Sequence, residues 1–237
     1  MRPKVYFDYA AATPLDASVS KAMKDNMQYY ANPSASYGSA RDAKTRLEHF
    51  RKQIATSLKA NTDEIIFTSR ATESNNLAIF GVCRSHKSGR IISTRIEHPS
   101  VYEPLLQLQQ EGYKIDWCDV DKFGRIDLDH LGKLIKPDTR LVSLQYANST
   151  IGTIQPISKI ASLLDSIRQG RTTRPVLHID ATGAEMSLSL SVDRLKADLM
   201  TVSSSKIYGP TGSALLYIKR GTSIEPEIYG GKQELGF

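Results

Sequence analysis

Seven short apolar runs recur along this chain, and most stretches between them carry helical spacing. The runs are Glu64-Ile65-Ile66-Phe67-Thr68, Arg90-Ile91-Ile92-Ser93-Thr94, Tyr113-Lys114-Ile115-Asp116-Trp117, Leu141-Val142-Ser143-Leu144, Val176-Leu177-His178-Ile179, Leu199-Met200-Thr201-Val202 and Ala214-Leu215-Leu216-Tyr217-Ile218. Each has the length and residue types of a strand. Val19, Met23 and Met27 are spaced for one helix face, and Ala43, Leu47, Phe50, Ile54 and Leu58 for a longer one. Further helices are expected from about Thr72 to Val82, through Val101, Leu105 and Leu108, near Leu128, Leu131 and Leu134, and from Pro156 through Ile157, Ile160, Leu163, Leu164 and Ile167. Alternation of this kind predicts an α/β fold, a mostly parallel sheet covered by helices on both faces. Such sheets bind ligands beyond the carboxyl ends of their strands, so the residues that follow each strand are the informative ones.

Composition narrows the class. Hydrophobic residues make up 40% of 237 and charged residues 24%, enough apolar material for a sizeable core. The net charge of +6 and pI of about 9.2 come from Lys and Arg spread along the chain, often near Asp and Glu, so no nucleic-acid partner is expected. The densest basic cluster, Arg168, Arg171 and Arg174, flanks a loop and reads as a solvated surface. Cys83 and Cys118 have no metal-ligand spacing, and no metal is expected. The N-terminus shows no apolar signal core and no run reaches membrane-spanning length. The expectation is a cytoplasmic protein with no membrane partner.

Four strand ends carry chemistry. After residues 64–68 comes Ser69-Arg70-Ala71-Thr72-Glu73-Ser74-Asn75-Asn76, hydroxyl residues opening a helix. The helix N-terminus suits a phosphate, and ordinary N-capping is the alternative. After residues 90–94 comes Glu97-His98-Pro99, where a histidine before a helix-starting proline serves either structure or a planar ring. Asp180-Ala181-Thr182 follows residues 176–179; its carboxylate either caps the next element or holds a protonated pyridine nitrogen. After residues 199–202, Ser203-Ser204-Ser205-Lys206 precedes a Gly209-Pro210 turn. That lysine is either at the surface or an amine for covalent attachment of an aldehyde, with the serines on a phosphate. Taken together, the four ends supply what pyridoxal phosphate needs.

These segments, with Tyr6-Phe7-Asp8-Tyr9-Ala10-Ala11-Ala12-Thr13-Pro14, Asn32-Pro33-Ser34 and Ile151-Gly152-Thr153-Ile154-Gln155-Pro156, resemble in order the cysteine desulfurases of the class V aminotransferase group, fold type I of the pyridoxal-phosphate enzymes. The resemblance implies pyridoxal 5'-phosphate as cofactor. It implies that Lys206 carries the cofactor and moves the substrate's α-proton, with His98 stacked on the ring and Asp180 on the ring nitrogen. Thr72 and Ser203 would bind the phosphate, Ser149 would lie near the ring oxygen, and Ala71, Asn148 and Ser205 would complete the cofactor-binding set. Arg70, Ser149, Gly183 and Ser205 stand where the family has Gly, Asn, Gln and His.

The same resemblance implies L-cysteine or a related amino acid as substrate, a sulfur-acceptor protein, and a homodimer. It implies that residues 1–237 are the cofactor-binding large domain. The segment Tyr229 to Phe237 resembles a glycine-rich family segment that normally continues into a second domain, so the C-terminal small domain, with the nucleophilic cysteine and the arginine for the substrate carboxylate, is expected to be absent; neither Cys83 nor Cys118 matches the nucleophile's place. Two other readings remain: another class V lyase or transaminase, and a non-catalytic cofactor- or partner-binding remnant.

Overall fold

The structure is a computed structural model that describes residues 5–86, 88–167 and 174–237. Its helices are α1 (Ala17–Asn26), α2 (Gly38–Leu58), α3 (Ala71–His86), α4 (Pro99–Gln110), α5 (Leu128–Leu134), α6 (Ile157–Ile167) and α7 (Val192–Leu195). Its strands are β1 (Ile65–Thr68), β2 (Arg90–Ser93), β3 (Lys114–Trp117), β4 (Thr139–Gln145), β5 (Val176–Asp180), β6 (Leu199–Ser203) and β7 (Ala214–Ile218). All seven expected strands form, within two residues of the expected bounds.

They make one sheet in the order β1-β7-β6-β5-β4-β2-β3. From β6 to β3 every neighbour is parallel. β7 runs antiparallel to both β6 and β1. The β6–β7 link, residues 204–213, holds only a turn of 3-10 helix, so the chain returns beside β6 without a crossover.

Strand residues alternate between two cores, as a pleat requires. Ile65, Ile92, Val142, Leu144, Leu177, Ile179, Met200 and Val202 face one core with Leu58 of α2, Leu131 of α5 and Ile157, Ile160 and Leu164 of α6. Ile66, Ile91, Leu141, Leu199 and Leu216 face the other, with Leu77 and Ile79 of α3 and Val101, Leu105 and Leu108 of α4. The parity places Ser143, Gln145, His178, Asp180, Thr201 and Ser203 on the α3/α4 face. The last residues of β4, β5 and β6 on that face are therefore all polar: Gln145, Asp180 and Ser203.

Three expectations change, two from helical spacing and one from the basic cluster. α1 forms but buries no residue; Met23 and Met27 are 44% and 76% exposed. In α2 the buried stripe is Ala40, Ala43, Arg51, Ala55 and Leu58, while Phe50 points outward. Arg51 is buried because every side of its guanidinium finds a partner: the Ile65 carbonyl at 2.6 Å, the Glu234 carboxylate at 2.7 Å and the Phe67 ring at 4.5 Å. Arg174 is no solvated patch, since it pairs with Asp198 at 2.6 Å and Asp165 at 3.4 Å. Arg168 and Arg171 lie outside the described residues.

Candidate active site

A cavity of about 750 Å³ opens at the carboxyl ends of β4, β5 and β6. Ala71, Thr72, His98, Asn148, Ser149, Asp180, Ser203, Ser205 and Lys206 all line it, so the structure brings every residue expected at the site to one place. Its volume suits a cofactor of modest size.

Asp180, the last residue of β5, is buried and faces only donors. Its Oδ1 accepts from the Thr182 backbone N–H at 3.0 Å and the Thr182 hydroxyl at 2.6 Å, and its Oδ2 accepts from Asn75 Nδ2 at 2.9 Å. His98 is the N-cap of α4, with its Nδ1 accepting the Ser100 N–H at 3.1 Å and lying 2.7 Å from the Ser100 hydroxyl. From this capping position His98 lines the cavity. Thr72 stands in the first turn of α3, where N–H groups without helical partners suit an anion. Ser203 and Ser205 lie with their hydroxyls 3.0 Å apart. Ser204, the middle member of the serine run, turns away instead and donates to Ser213 O at 2.6 Å and to Pro210 O, tying the Gly209-Pro210 turn.

Lys206 ends its strand-to-turn segment with Nζ donating to the carbonyls of Ala11, at 2.6 Å, and Ala10. The role of residues 10–13 was not legible in their sequence, because it depends on contact across the whole chain. Thr13 donates from N and Oγ1 to Ser205 O at 2.9 and 3.1 Å and accepts from the Tyr208 N–H at 2.7 Å.

Asn148 lines the cavity, but its Oδ1 is engaged by the N–H groups of Thr150 and Ile151 at 2.9 and 3.0 Å, and Nδ2 donates to Ile96 O at 3.2 Å. What it has left for a ligand is one N–H. Gly183 also lines the cavity, packed so closely that a Cβ there would lie 2.3 Å from Ala147 O.

From the sequence alone Asn75, Ser100, Glu97 and Glu185 carry no role, yet all four reach the site. Asn75 and Ser100 join Asp180 to His98; helical spacing from Ala71 was the available signal for Asn75. Glu97 is buried, accepting from the Thr94 hydroxyl at 2.5 Å and Gln145 N–H at 2.7 Å, and burial pushes its carboxyl up to about 8. Glu185 inserts where β5 and β6 part and takes the Ser203 N–H. Its Oε2 is buried without a partner, and burial pushes this carboxyl up to about 8 as well. Nothing in the sequence signals Glu185, because only the path of the loop after Asp180 brings it there. His178, beneath Asp180 on β5, lies between Ser143 and Thr201 at 2.8 and 3.2 Å, and burial drives it down to about 4.

The donor set suits pyridoxal phosphate: an amine for its aldehyde, an acceptor-only carboxylate for its ring nitrogen, and hydroxyls at a helix N-terminus for its phosphate. Among the described residues, no helix is long and apolar enough to cross a membrane, and no group of three or more His, Cys, Asp or Glu is placed to hold a metal.

Comparison with known proteins agrees. A relative described as cysteine desulfurase IscS, from Dictyoglomus turgidum, is 42% identical over 240 residues, covering 99% of this chain and 59% of its own. Human cysteine desulfurase is 40% identical, covering 100% of this chain and 51% of its own. This chain thus spans about half to three-fifths of the length of these curated relatives. Among solved structures, a NifS-like protein superposes with a TM-score of 0.93 at 34% identity, covering 99% of this chain and 64% of that one. A structure of SspA in complex with cysteine gives 0.91 at 34% identity, covering 98% and 67%. Class V aminotransferases and cysteine desulfurases are pyridoxal-phosphate enzymes. The family model of class-V aminotransferases matches residues 5–235, nearly every position that builds the sheet and the cavity, and the chain belongs to that family.

Proposed function

We propose that this chain is the cofactor-bearing large domain of a cysteine desulfurase and holds pyridoxal phosphate through Lys206. The carrying observation is that Lys206 and Asp180 line one cavity together with Thr72, Ser203 and Ser205. When bound, pyridoxal phosphate supplies an electron sink for the bonds at an amino acid's α-carbon. Asp180, which meets only donors within the protein, holds a positive ring nitrogen. The first turn of α3, Thr72, Ser203 and Ser205 hold the phosphate, and His98 covers the ring. Lys206 would give up the carbonyls of Ala10 and Ala11 to hold the cofactor's aldehyde carbon, and its amine, released when the substrate's amino group takes its place there, would accept the substrate's α-proton.

The relatives' names and the solved cysteine complex support L-cysteine as the substrate; the reading adds an acceptor protein for the sulfur. Sulfur removal needs a mobile thiolate beside the bound substrate. Cys83 and Cys118 are both buried, and burial pushes each thiol up to about 12, so neither suits that task. The reading places the nucleophile in the additional length that the relatives possess. It includes a homodimer that covers exposed apolar side chains such as Phe7, Met27 and Tyr30, which are 90%, 76% and 92% exposed. Two unpaired cysteines suit the reducing cytoplasm.

The test is reconstitution with pyridoxal phosphate. A visible absorption band is expected that is lost in Lys206→Ala, and borohydride reduction is expected to fix the cofactor on the peptide containing Lys206. A band that survives the substitution, with the label on another lysine, would refute the assignment.

A further inference from the structure

Four side chains form an unbroken hydrogen-bonded line: Asp180, Ser100 and His98, which line the cavity, and Asn75, which is buried behind them. Asn75 is fully buried on α3. Its Nδ2 lies 2.9 Å from Asp180 Oδ2 and 2.8 Å from Ser100 Oγ, and its Oδ1 has no partner. The amide orientation follows from chemistry: the opposite one would set Oδ1 against a carboxylate that already accepts two bonds from Thr182. Both protons of the Asn75 amide are then assigned, one to Asp180 and one to Ser100.

The direction of the next bond follows. Ser100 Oγ accepts from Asn75, which leaves its own proton to donate, and His98 Nδ1 lies 2.7 Å away. The same nitrogen accepts the Ser100 backbone N–H at 3.1 Å. A ring nitrogen that receives two donors bears no proton, so in the neutral imidazole the proton sits on Nε2.

We propose that Asn75 and Ser100 are positioning residues that lock His98 in its Nε2–H tautomer and bind it in register with Asp180. This inference rests on the cofactor reading of the cavity and adds a division of labour to it. His98 enters the site as a proton donor from Nε2 and not as an acceptor there, which leaves Lys206 as the proton acceptor at the substrate. The unpartnered Asn75 Oδ1 is consistent with a residue kept for its two donors, since an unpaired buried carbonyl is costly.

The experiment is long-range ¹H–¹⁵N correlation on the holoprotein labelled with ¹⁵N-histidine, with the His98 signals assigned by their loss in His98→Gln. In the parent protein the expected pattern is an unprotonated Nδ1 and a protonated Nε2. A protonated Nδ1 would overturn the proposal without any structural variant. In Ser100→Ala, and separately in Asn75→Leu, His98 should become a mixture of tautomers, and affinity for pyridoxal phosphate should fall about tenfold, the scale of one lost buried hydrogen bond. A pure Nε2–H tautomer in folded Ser100→Ala would show that the backbone N–H alone sets it, and the chain from Asn75 would be refuted. The cofactor reading fails by a different signature: no Lys206-dependent band, whatever the tautomer.

Discussion

The Nζ of Lys206 lies 2.6 Å from the carbonyl oxygen of Ala11, a residue 195 positions earlier in the chain. The segment that supplies this acceptor is held by Thr13, whose hydroxyl both donates to Ser205 O and accepts the Tyr208 N–H. Thr13→Val keeps the shape and removes both bonds. Stability is expected to fall by about 1–3 kcal/mol, and cofactor affinity should weaken with it. Urea denaturation with an unchanged midpoint would show that the segment does not latch the lysine turn.

Glu97 and Glu185 make stability depend on pH. Burial raises both carboxyls from 4.5 to about 8, so between those values the folded chain binds more protons than the unfolded one. Stability therefore falls as pH rises through this window. Glu185→Gln retains an amide oxygen for the Ser203 N–H and removes the titration. Between pH 5.5 and pH 8 the parent should lose on the order of 1–3 kcal/mol more than Glu185→Gln. Parallel pH profiles for the two proteins would count against this.

At Gly183 the backbone lies against Ala147, and a Cβ would come within 2.3 Å of a carbonyl oxygen that cannot swing aside. Gly183→Ala should cost about 1–3 kcal/mol and displace the Ala147–Ser149 wall of the cavity. Thermal denaturation and cofactor titration check both effects, and an unperturbed Gly183→Ala protein would mean that the loop has slack.

The two thiols should be chemically quiet. Cys83 and Cys118 are buried, with 0% and 3% exposure, and each is pushed up to about 12. Labelling by a disulfide reagent should be slower by about two orders of magnitude or more in the folded chain than in denaturant. With excess cysteine and bound cofactor, sulfide release from this chain alone should not exceed that of free pyridoxal phosphate. Rapid labelling, or turnover that stops in Cys83→Ser or Cys118→Ser, would contradict the placement of the nucleophile elsewhere.

Much of this protein was legible in one dimension because it is local. Strand length, helical period and the residue after each strand are set by neighbours a few positions away. The parallel sheet, the cavity at its carboxyl ends and the convergence of Thr72, His98, Asp180, Ser203 and Lys206 follow from them. What the tertiary structure decided involves partners far apart or paths through loops. The outward turn of Phe50 depends on Arg51 meeting Glu234, 183 residues away. The line from Asp180 to His98 depends on α3 and α4 packing side by side over the sheet, so that Asn75 reaches Ser100. Glu185 enters the site only because the glycine at 183 lets the backbone close on Ala147. Hydrogen bonds act over about 3 Å, so a residue's chemistry is declared by its type, but its partner is declared only when the chain has brought the two together.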